Sequence, residues 1–218
     1  MKFHPAGHKI IRNTIVLLIA FNLIAWLFIS HSFFSSLISL ASFVVLVLVL
    51  QFFRYPQRKV QTNPKHVISP ADGKVCVIEE TEEKLYLKRK CLKVSIFMSP
   101  LNVHINWVPV PGKVTFSMHK EGEFYAAFKD KSADENERFC TAFQLADGRE
   151  IMANQVAGAM ARRILNFLKA GQTVTQDMEM GFIRFGSRVD LYLPLDTKLT
   201  VKLGDKVTGS QTIIGELS

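Results

Sequence analysis

The stretch Phe139–Gly148, FCTAFQLADG, places Phe139, Thr141, Phe143 and Leu145 at every second position and ends on an Asp-Gly pair. A period of two residues is typical of a β-strand with one buried face, and Asp-Gly favours a tight hairpin turn. The same alternation covers Val94–Met98 and Val114–Met118. We therefore predict that the chain from residue 60 onward is mainly β structure.

One segment has a helical period instead, because its apolar side chains recur every four residues, at Val156, Met160, Ile164 and Leu168. Gly171 would be its C-terminal stop. Arg162 and Arg163 lie on other faces of this predicted helix, where they would meet either solvent or a lipid phosphate. The fold class that follows is mainly β (α+β), with one long amphipathic helix.

The C-terminal end of the chain alternates through Leu199–Leu203 into Gly204-Asp205. This pattern is similar to the compact hairpin of barrel-sandwich hybrid domains, the class that includes biotinyl and lipoyl carriers. Ser69–Val75 has a similar strand-turn-strand character. The two segments are candidates for pairing in space.

Two uncharged apolar runs precede this β-rich part, Asn13–Ser30 and Phe33–Phe53. At roughly 1.5 Å of rise per residue, each run is long enough to cross a hydrocarbon core of about 30 Å. We expect a membrane anchor over residues 1–59 and a catalytic domain over residues 60–218. A cleavable signal peptide would need a small-residue cleavage site, which is missing, whereas one re-entrant hairpin stays open as an alternative.

The connector between the two runs has no Lys or Arg, whereas both outer ends are basic. The positive-inside rule then places both ends, and the domain that follows, on the cytoplasmic side of the cell (inner) membrane. The net charge of +8 suits an anionic lipid surface, and with a membrane anchor present we expect no nucleic-acid partner. The basic end residues are Lys2, Lys9 and Arg12 before the first run, and Arg54, Arg58 and Lys59 after the second.

Several kinds of chemistry lack support in the sequence. Three cysteines without paired spacing, Cys76, Cys91 and Cys140, indicate reduced thiols. No metal site, phosphate-binding glycine loop or GxSxG motif is present. The acidic 79–83 and basic 85–93 segments are best explained as facing strands of one hairpin.

Three short segments carry the candidate chemistry: Ile68–Gly73 (ISPADG), Ser99–Trp107 (SPLNVHINW) and Gly181–Pro194 (GFIRFGSRVDLYLP). Each has an ordinary explanation by itself. Asp-Gly is a common turn, and a histidine in an apolar run is usually a hydrogen-bonded core residue. Gly186-Ser187 is one of two Gly-Ser pairs, the other being Gly209-Ser210.

Taken together in this order, the three segments resemble the short membrane-anchored form of the phosphatidylserine decarboxylase family, over essentially the whole chain. Ser132–Arg138 and Val156–Ile164 add to the likeness. The resemblance implies self-cleavage between Gly186 and Ser187, which would give a β chain of residues 1–186 and an α chain of residues 187–218. Ser187 would become a covalent pyruvoyl cofactor, which decarboxylates phosphatidylserine to phosphatidylethanolamine through a Schiff base.

The resemblance also implies roles for Asp72 and a histidine in activating Ser187, as an Asp-His-Ser relay. Longer members carry two histidines three residues apart, whereas this chain has His104 and then Trp107. We expect His104 to serve both self-cleavage and substrate chemistry, with His119 as a weaker candidate. The implied partners are phosphatidylserine, the α and β chains of one heterodimer, and a possible homodimer.

Two other functions stay open on sequence alone. One is a non-enzymatic membrane-tethered adapter or a carrier, for which Lys206 lacks the usual Met-flanked setting. The other is a pyruvoyl decarboxylase of a soluble amino acid. For the lipid reaction, Phe124, Tyr125 and Phe128 would form either an apolar rim toward the membrane or part of the core.

Overall fold

The computed structural model describes residues 2–29, 32–60, 62–125, 135–158, 163–184 and 187–218. The chain divides into two compact units, Met1–Gln57 and Arg58–Ser218.

The first unit is a helical hairpin formed by α1 (His8–Phe28) and α2 (Ser32–Phe52). Both helices are long and apolar enough to cross a membrane. Asn22 of α1 links them, since its side chain donates to Ser42 Oγ at 2.8 Å and accepts from Ser39 Oγ at 2.9 Å. The outer ends meet because β1 (Lys2–Phe3) pairs with β2 (Arg54–Tyr55), so both ends lie on the same side of the hairpin.

The second unit contains fourteen described strands, all paired antiparallel. One eight-stranded sheet has the order β11-β7-β8-β9-β13-β5-β4-β15, and two three-stranded sheets have the orders β10-β12-β6 and β14-β16-β3. The strands are β3 (His66–Ile68), β4 (Gly73–Glu83), β5 (Arg89–Met98), β6 (Ile105–Trp107), β7 (Gly112–Lys120), β8 (Arg138–Gln144), β9 (Glu150–Ala157), β10 (Ile164–Asn166), β11 (Thr173–Val174), β12 (Glu179–Ile183), β13 (Ser187–Leu193), β14 (Lys198–Leu199), β15 (Lys206–Val207) and β16 (Ile213–Glu216).

The predicted alternating runs are strands of the large sheet. Residues 94–98 lie in β5, 114–118 in β7 and 139–144 in β8. Gly148, at the Asp-Gly turn between β8 and β9, has φ of +85°, a conformation that glycine adopts at little cost. The acidic and basic segments face each other across the β4–β5 hairpin as expected, with Lys93 Nζ 3.0 Å from Glu79 Oε1.

The predicted amphipathic helix is wrong over the described residues. Val156 lies in β9 and Ile164 lies in β10, whereas residues 159–162 are outside the described residues. β9 pairs with β8 on one side and with β13 on the other, so its backbone groups are satisfied by two ladders. Sheet pairing therefore overrides a four-residue spacing that arose by coincidence.

The C-terminal hairpin pairs with the Ser69–Val75 region, as its strand-turn-strand character suggested. Ile213 of β16 faces Ile68 of β3, and Val207 of β15 faces Gly73 of β4. The end of the chain is thus built into the same sheets as the ISPADG segment.

The cysteines are free thiols. Burial raises the pKa of the Cys140 thiol to about 11. Such a thiol is protonated and unreactive near neutral pH, in line with a structural role.

Candidate active site

Ser187 is the first residue of β13, in the middle of the large sheet. It lies opposite Met98 of β5 and Ala157 of β9, and it is fully buried. Its Oγ donates to Met98 Sδ at 3.3 Å. A thioether is a weak acceptor and not a base, so this hydroxyl is held but not activated. Gly186, the other half of the predicted cleavage site, lies outside the described residues.

Asp72 lies at the same end of the sheet, immediately before β4. Lys74 of β4 faces Phe97 of β5, and Phe97 faces Arg188, the neighbour of Ser187. Asp72 is therefore two strands away from the start of β13, a distance of roughly 10 Å. The ISPADG and GFIRFGS segments, far apart in sequence, meet here.

The carboxylate of Asp72 is fully engaged by two partners. Arg58 Nη1 and Nη2 donate to its two oxygens at 2.6 and 2.7 Å, and the Gly209 N–H donates to Oδ1 at 2.8 Å. Both charged side chains are nearly buried, at 10% and 13% exposed. A paired-donor geometry of this kind is the strongest form of arginine–carboxylate contact.

Trp107 holds Arg58 in place, which gives a structural role to the residue that stands where longer family members have a second histidine. The Arg58 guanidinium carbon lies 4.6 Å from the centre of the Trp107 ring, a cation–π arrangement. Gly209 packs so closely on this ring that a Cβ atom there would come within 2.5 Å of it. We call Trp107, Arg58 and Asp72 the arginine clamp.

His104 precedes β6 and is fully buried. Its Nδ1 lies 3.0 Å from the Asn102 carbonyl oxygen, and a carbonyl only accepts, so Nδ1 carries the proton. The lone pair of the neutral ring is therefore on Nε2, the atom that can act as a base. The Ile183 N–H donates to the His104 carbonyl at 3.3 Å, which places His104 beside the end of β12, three residues before Gly186.

The structure thus brings Asp72, His104 and Ser187 to one end of the β domain. It does not join them in the hydrogen-bonded relay that the resemblance implies. Among the described residues, Asp72 bonds to Arg58 and Gly209, and Ser187 bonds to Met98.

His119 occupies a different place. Its side chain is 45% exposed and its Nε2 lies 3.0 Å from Glu137 Oε1. It belongs to β7, three strands away from β13, or roughly 14 Å. This geometry favours His104 over His119 as the base.

Sequence reasoning missed the arginine clamp and a set of buried amides beside Ser187. Arg58 was predicted only as one of the basic residues that follow the second apolar run, whereas its side chain reaches Asp72. Asn106 and Gln155 are fully buried. The sequence signal for such a residue is an amide at an inward position of an apolar strand. Gln155 is an example, since it alternates with Ala153 and Ala157 along one strand.

We expect Arg58→Gln to destabilise the catalytic unit, because it leaves the Asp72 carboxylate nearly buried without its cation. Removing one partner of a buried ion pair costs about 3 kcal/mol or more. The midpoint of thermal unfolding should fall by several degrees, as measured by circular dichroism. Lys59→Gln removes an adjacent but exposed charge and should leave the midpoint unchanged; equal midpoints for the two variants would refute the clamp.

The geometry defines a mainly β domain with a buried serine, a buried histidine and a clamped aspartate at one end of that domain. A sequence model of the family described as phosphatidylserine decarboxylase matches residues 45–215. The chain therefore belongs to the phosphatidylserine decarboxylase family.

Curated relatives extend the match to the full length of the chain. A phosphatidylserine decarboxylase proenzyme of Parabacteroides distasonis is 42% identical over 219 residues, covering 100% of both chains. One of Bacteroides fragilis is 44% identical over 218 residues, covering 100% of this chain and 96% of the relative. One of Burkholderia ambifaria is 45% identical over 174 residues, covering 80% of this chain and 81% of the relative.

Proposed function

We propose that this chain is a self-processing phosphatidylserine decarboxylase, a carboxy-lyase of phospholipid biosynthesis that uses a pyruvoyl group made from Ser187. The observation that carries the proposal is the meeting of three separate segments at the start of β13, in a chain of this family. Ser187 is buried there between two neighbouring strands, so a group formed from it would be held in a fixed place.

Self-processing requires Ser187 Oγ to attack the Gly186 carbonyl carbon. The Oγ proton passes to a base, the C–N bond breaks, the Ser187 nitrogen takes up a proton, and an ester forms. Loss of the Ser187 Cα proton then expels the Gly186 carboxylate and leaves dehydroalanine. Addition of water and loss of ammonia convert dehydroalanine to pyruvoyl.

His104 is the base in this proposal. Its Nδ1–H donates to the Asn102 carbonyl, so the lone pair that would accept the Ser187 proton is on Nε2. Since Ser187 Oγ is bonded to Met98, the hydroxyl must first turn away from the sulfur. For Asp72 to support the imidazole, as the family resemblance implies, its carboxylate would have to replace the Asn102 carbonyl at Nδ1–H and give up part of its contact with Arg58.

A pyruvoyl group made from Ser187 would supply a carbonyl to bind the serine amine of the lipid and to take up the electron pair left on carbon when carbon dioxide departs. His104 would then return a proton to the carbon that lost its carboxylate. Ser187 lies between β5 and β9, contacts the Met98 thioether and is closed to solvent, so a group formed from it would be held by these neighbours.

The α chain would stay bound after the cut. β13 pairs with β5 along its whole length and with β9 over six residues. β15 and β16 pair with β4 and β3, which belong to the β chain. The two products of residues 1–186 and 187–218 therefore form a heterodimer held by sheet hydrogen bonds. The C-terminal hairpin and its partner strands would be the barrel-sandwich-like part of this catalytic domain, residues 60–218.

A membrane lipid suits a chain with two apolar N-terminal helices. The anchor, residues 1–59, would place the catalytic domain on the cytoplasmic side, because its basic residues lie at both outer ends of the hairpin. Phe124 and Tyr125 are 42% and 43% exposed, and in this proposal they form part of the apolar rim toward the lipid. Phe128, the third predicted rim residue, lies outside the described residues.

The proposal is tested by carbon dioxide release from carboxyl-labelled phosphatidylserine in vesicles, with labelled free serine in a parallel reaction. We expect release from the lipid alone, together with a stoichiometric amount of phosphatidylethanolamine. Release from free serine alone would favour the soluble amino acid reaction instead. Release from neither, by a chain that has cut itself, would overturn the substrate assignment.

A further inference from the structure

A line of side-chain amides runs through the second unit to the buried serine. Gln155 Nε2 donates to Asn106 Oδ1 at 2.8 Å, and Asn166 Nδ2 donates to Gln155 Oε1 at 2.9 Å. Asn106 and Gln155 are both fully buried. A polar group in a buried network costs free energy unless it is hydrogen-bonded. The side chains of such a network are therefore held in fixed orientations. We call these three residues the amide relay.

A backbone group sets the direction of the amide relay. The Leu168 N–H donates to Asn166 Oδ1 at 2.8 Å, and an N–H can only donate. Asn166 must therefore present its NH₂ to Gln155, and Gln155 must present its own NH₂ to Asn106. Asn106 is left with its oxygen on the Gln155 side and its NH₂ on the opposite side.

The NH₂ group of Asn106 and the hydroxyl of Ser187 share one acceptor, the sulfur of Met98. Asn106 Nδ2 donates to Met98 Sδ at 3.5 Å, and the same sulfur accepts from Ser187 Oγ at 3.3 Å. The second N–H of this amide has no acceptor among the described residues. A buried donor that is oriented by a network, yet bonded only to a thioether, is available for a stronger acceptor that appears during reaction.

We propose that Asn106 is a catalytic residue of self-processing, and that it donates to the oxyanion that forms on the Gly186 carbonyl when Ser187 Oγ attacks. The inference rests on the proposed function. Gln155 and Asn166 are positioning residues that act through Asn106. During the attack the Ser187 hydroxyl turns from Met98 toward its base. The Asn106 N–H then exchanges a weak contact with the Met98 sulfur for a hydrogen bond to the charged oxyanion. The donor is oriented before the reaction begins, which is why it is effective.

The test follows the rate at which the full chain, made by cell-free synthesis with phospholipid vesicles, converts to its two fragments. Asn106→Leu removes the donor and keeps a similar volume, and Gln155 Nε2 still has the Leu165 carbonyl at 3.4 Å. We expect cleavage to slow by about 100- to 1,000-fold, as for loss of one oxyanion donor. Gln176→Met makes a similar amide-to-apolar change at another fully buried side chain, away from Ser187, and should cleave at the wild-type rate.

A double-mutant cycle separates positioning from folding. Gln155→Met should slow cleavage because Asn106 loses its orientation, and adding Asn106→Leu should slow it little further. Independent effects of the two changes, or wild-type cleavage by Asn106→Leu, would overturn the inference. Equal decreases in cleavage rate for Asn106→Leu and Gln176→Met, together with equal falls in the midpoint of thermal unfolding, would also overturn it. An uncut wild-type chain would instead refute the proposed function.

Discussion

Ser187→Ala is expected to remain a single uncut chain and to release no carbon dioxide from phosphatidylserine. Alanine has no hydroxyl to attack the Gly186 carbonyl and cannot give rise to a pyruvoyl group. The substitution removes one oxygen whose described bond is to the Met98 sulfur, so the fold should be retained. Gel electrophoresis and the vesicle assay measure the two effects on the same preparation.

The matched control is the other Gly-Ser pair. Ser210 is also fully buried and follows a glycine, but it lies in the turn before β16 and has φ of +63°. Ser210→Gly suits that conformation and should cleave and turn over normally. Cleavage of Ser187→Ala at residue 186, or loss of cleavage in both variants, would contradict the assignment of Ser187.

His104→Ala is expected to block self-cleavage and, through it, all turnover. In the proposed mechanism this histidine is the base; it lies beside the segment that leads to Gly186, and because its Nδ1–H is fixed on Asn102 its lone pair is on Nε2. Loss of a general base slows a reaction by about 100- to 10,000-fold. A time course of the intact mass, from minutes to days after synthesis, measures the loss.

His119→Ala is the control for this prediction, since His119 is partly exposed and bonded to Glu137. It should process and decarboxylate like the wild type. Normal cleavage without turnover in His104→Ala would restrict His104 to substrate chemistry. Normal cleavage and turnover would contradict its role altogether.

The strands of the large sheet were predictable because alternation and an Asp-Gly turn are local signals. The structure of the segment from Val156 to Leu168 was not predictable, because apolar side chains can also recur every four residues across two strands and the connection between them. What decides between them is pairing with β8 and β13, which no local pattern contains. The same pairing explains why Gln155 lies inside the core.

The site was predictable only in part, for a similar reason. The resemblance to the family predicts Asp72, His104 and Ser187 as site residues, but the arginine clamp depends on the side chain of Arg58, which reaches Asp72 from another part of the sequence. Trp107 departs from the two-histidine pattern of longer members. Its contact with the Arg58 guanidinium gives this departure a structural reason. Contacts between distant segments are set by the fold and not by spacing.

The geometry also bears on the carrier alternative. A carrier lysine should project from the tip of a hairpin, whereas Lys206 lies within β15, opposite Lys74 of β4. The residue is part of a sheet ladder. This arrangement favours the enzyme over a carrier.

The most direct measurement is the intact mass of the purified wild-type chain under denaturing conditions. Self-processing predicts two fragments, residues 1–186 and residues 187–218, the second beginning with pyruvoyl in place of serine. Reduction with cyanoborohydride in the presence of phosphatidylserine should then add the lipid to the second fragment alone. A single chain of 218 residues, from protein purified with native lipid, would contradict the account.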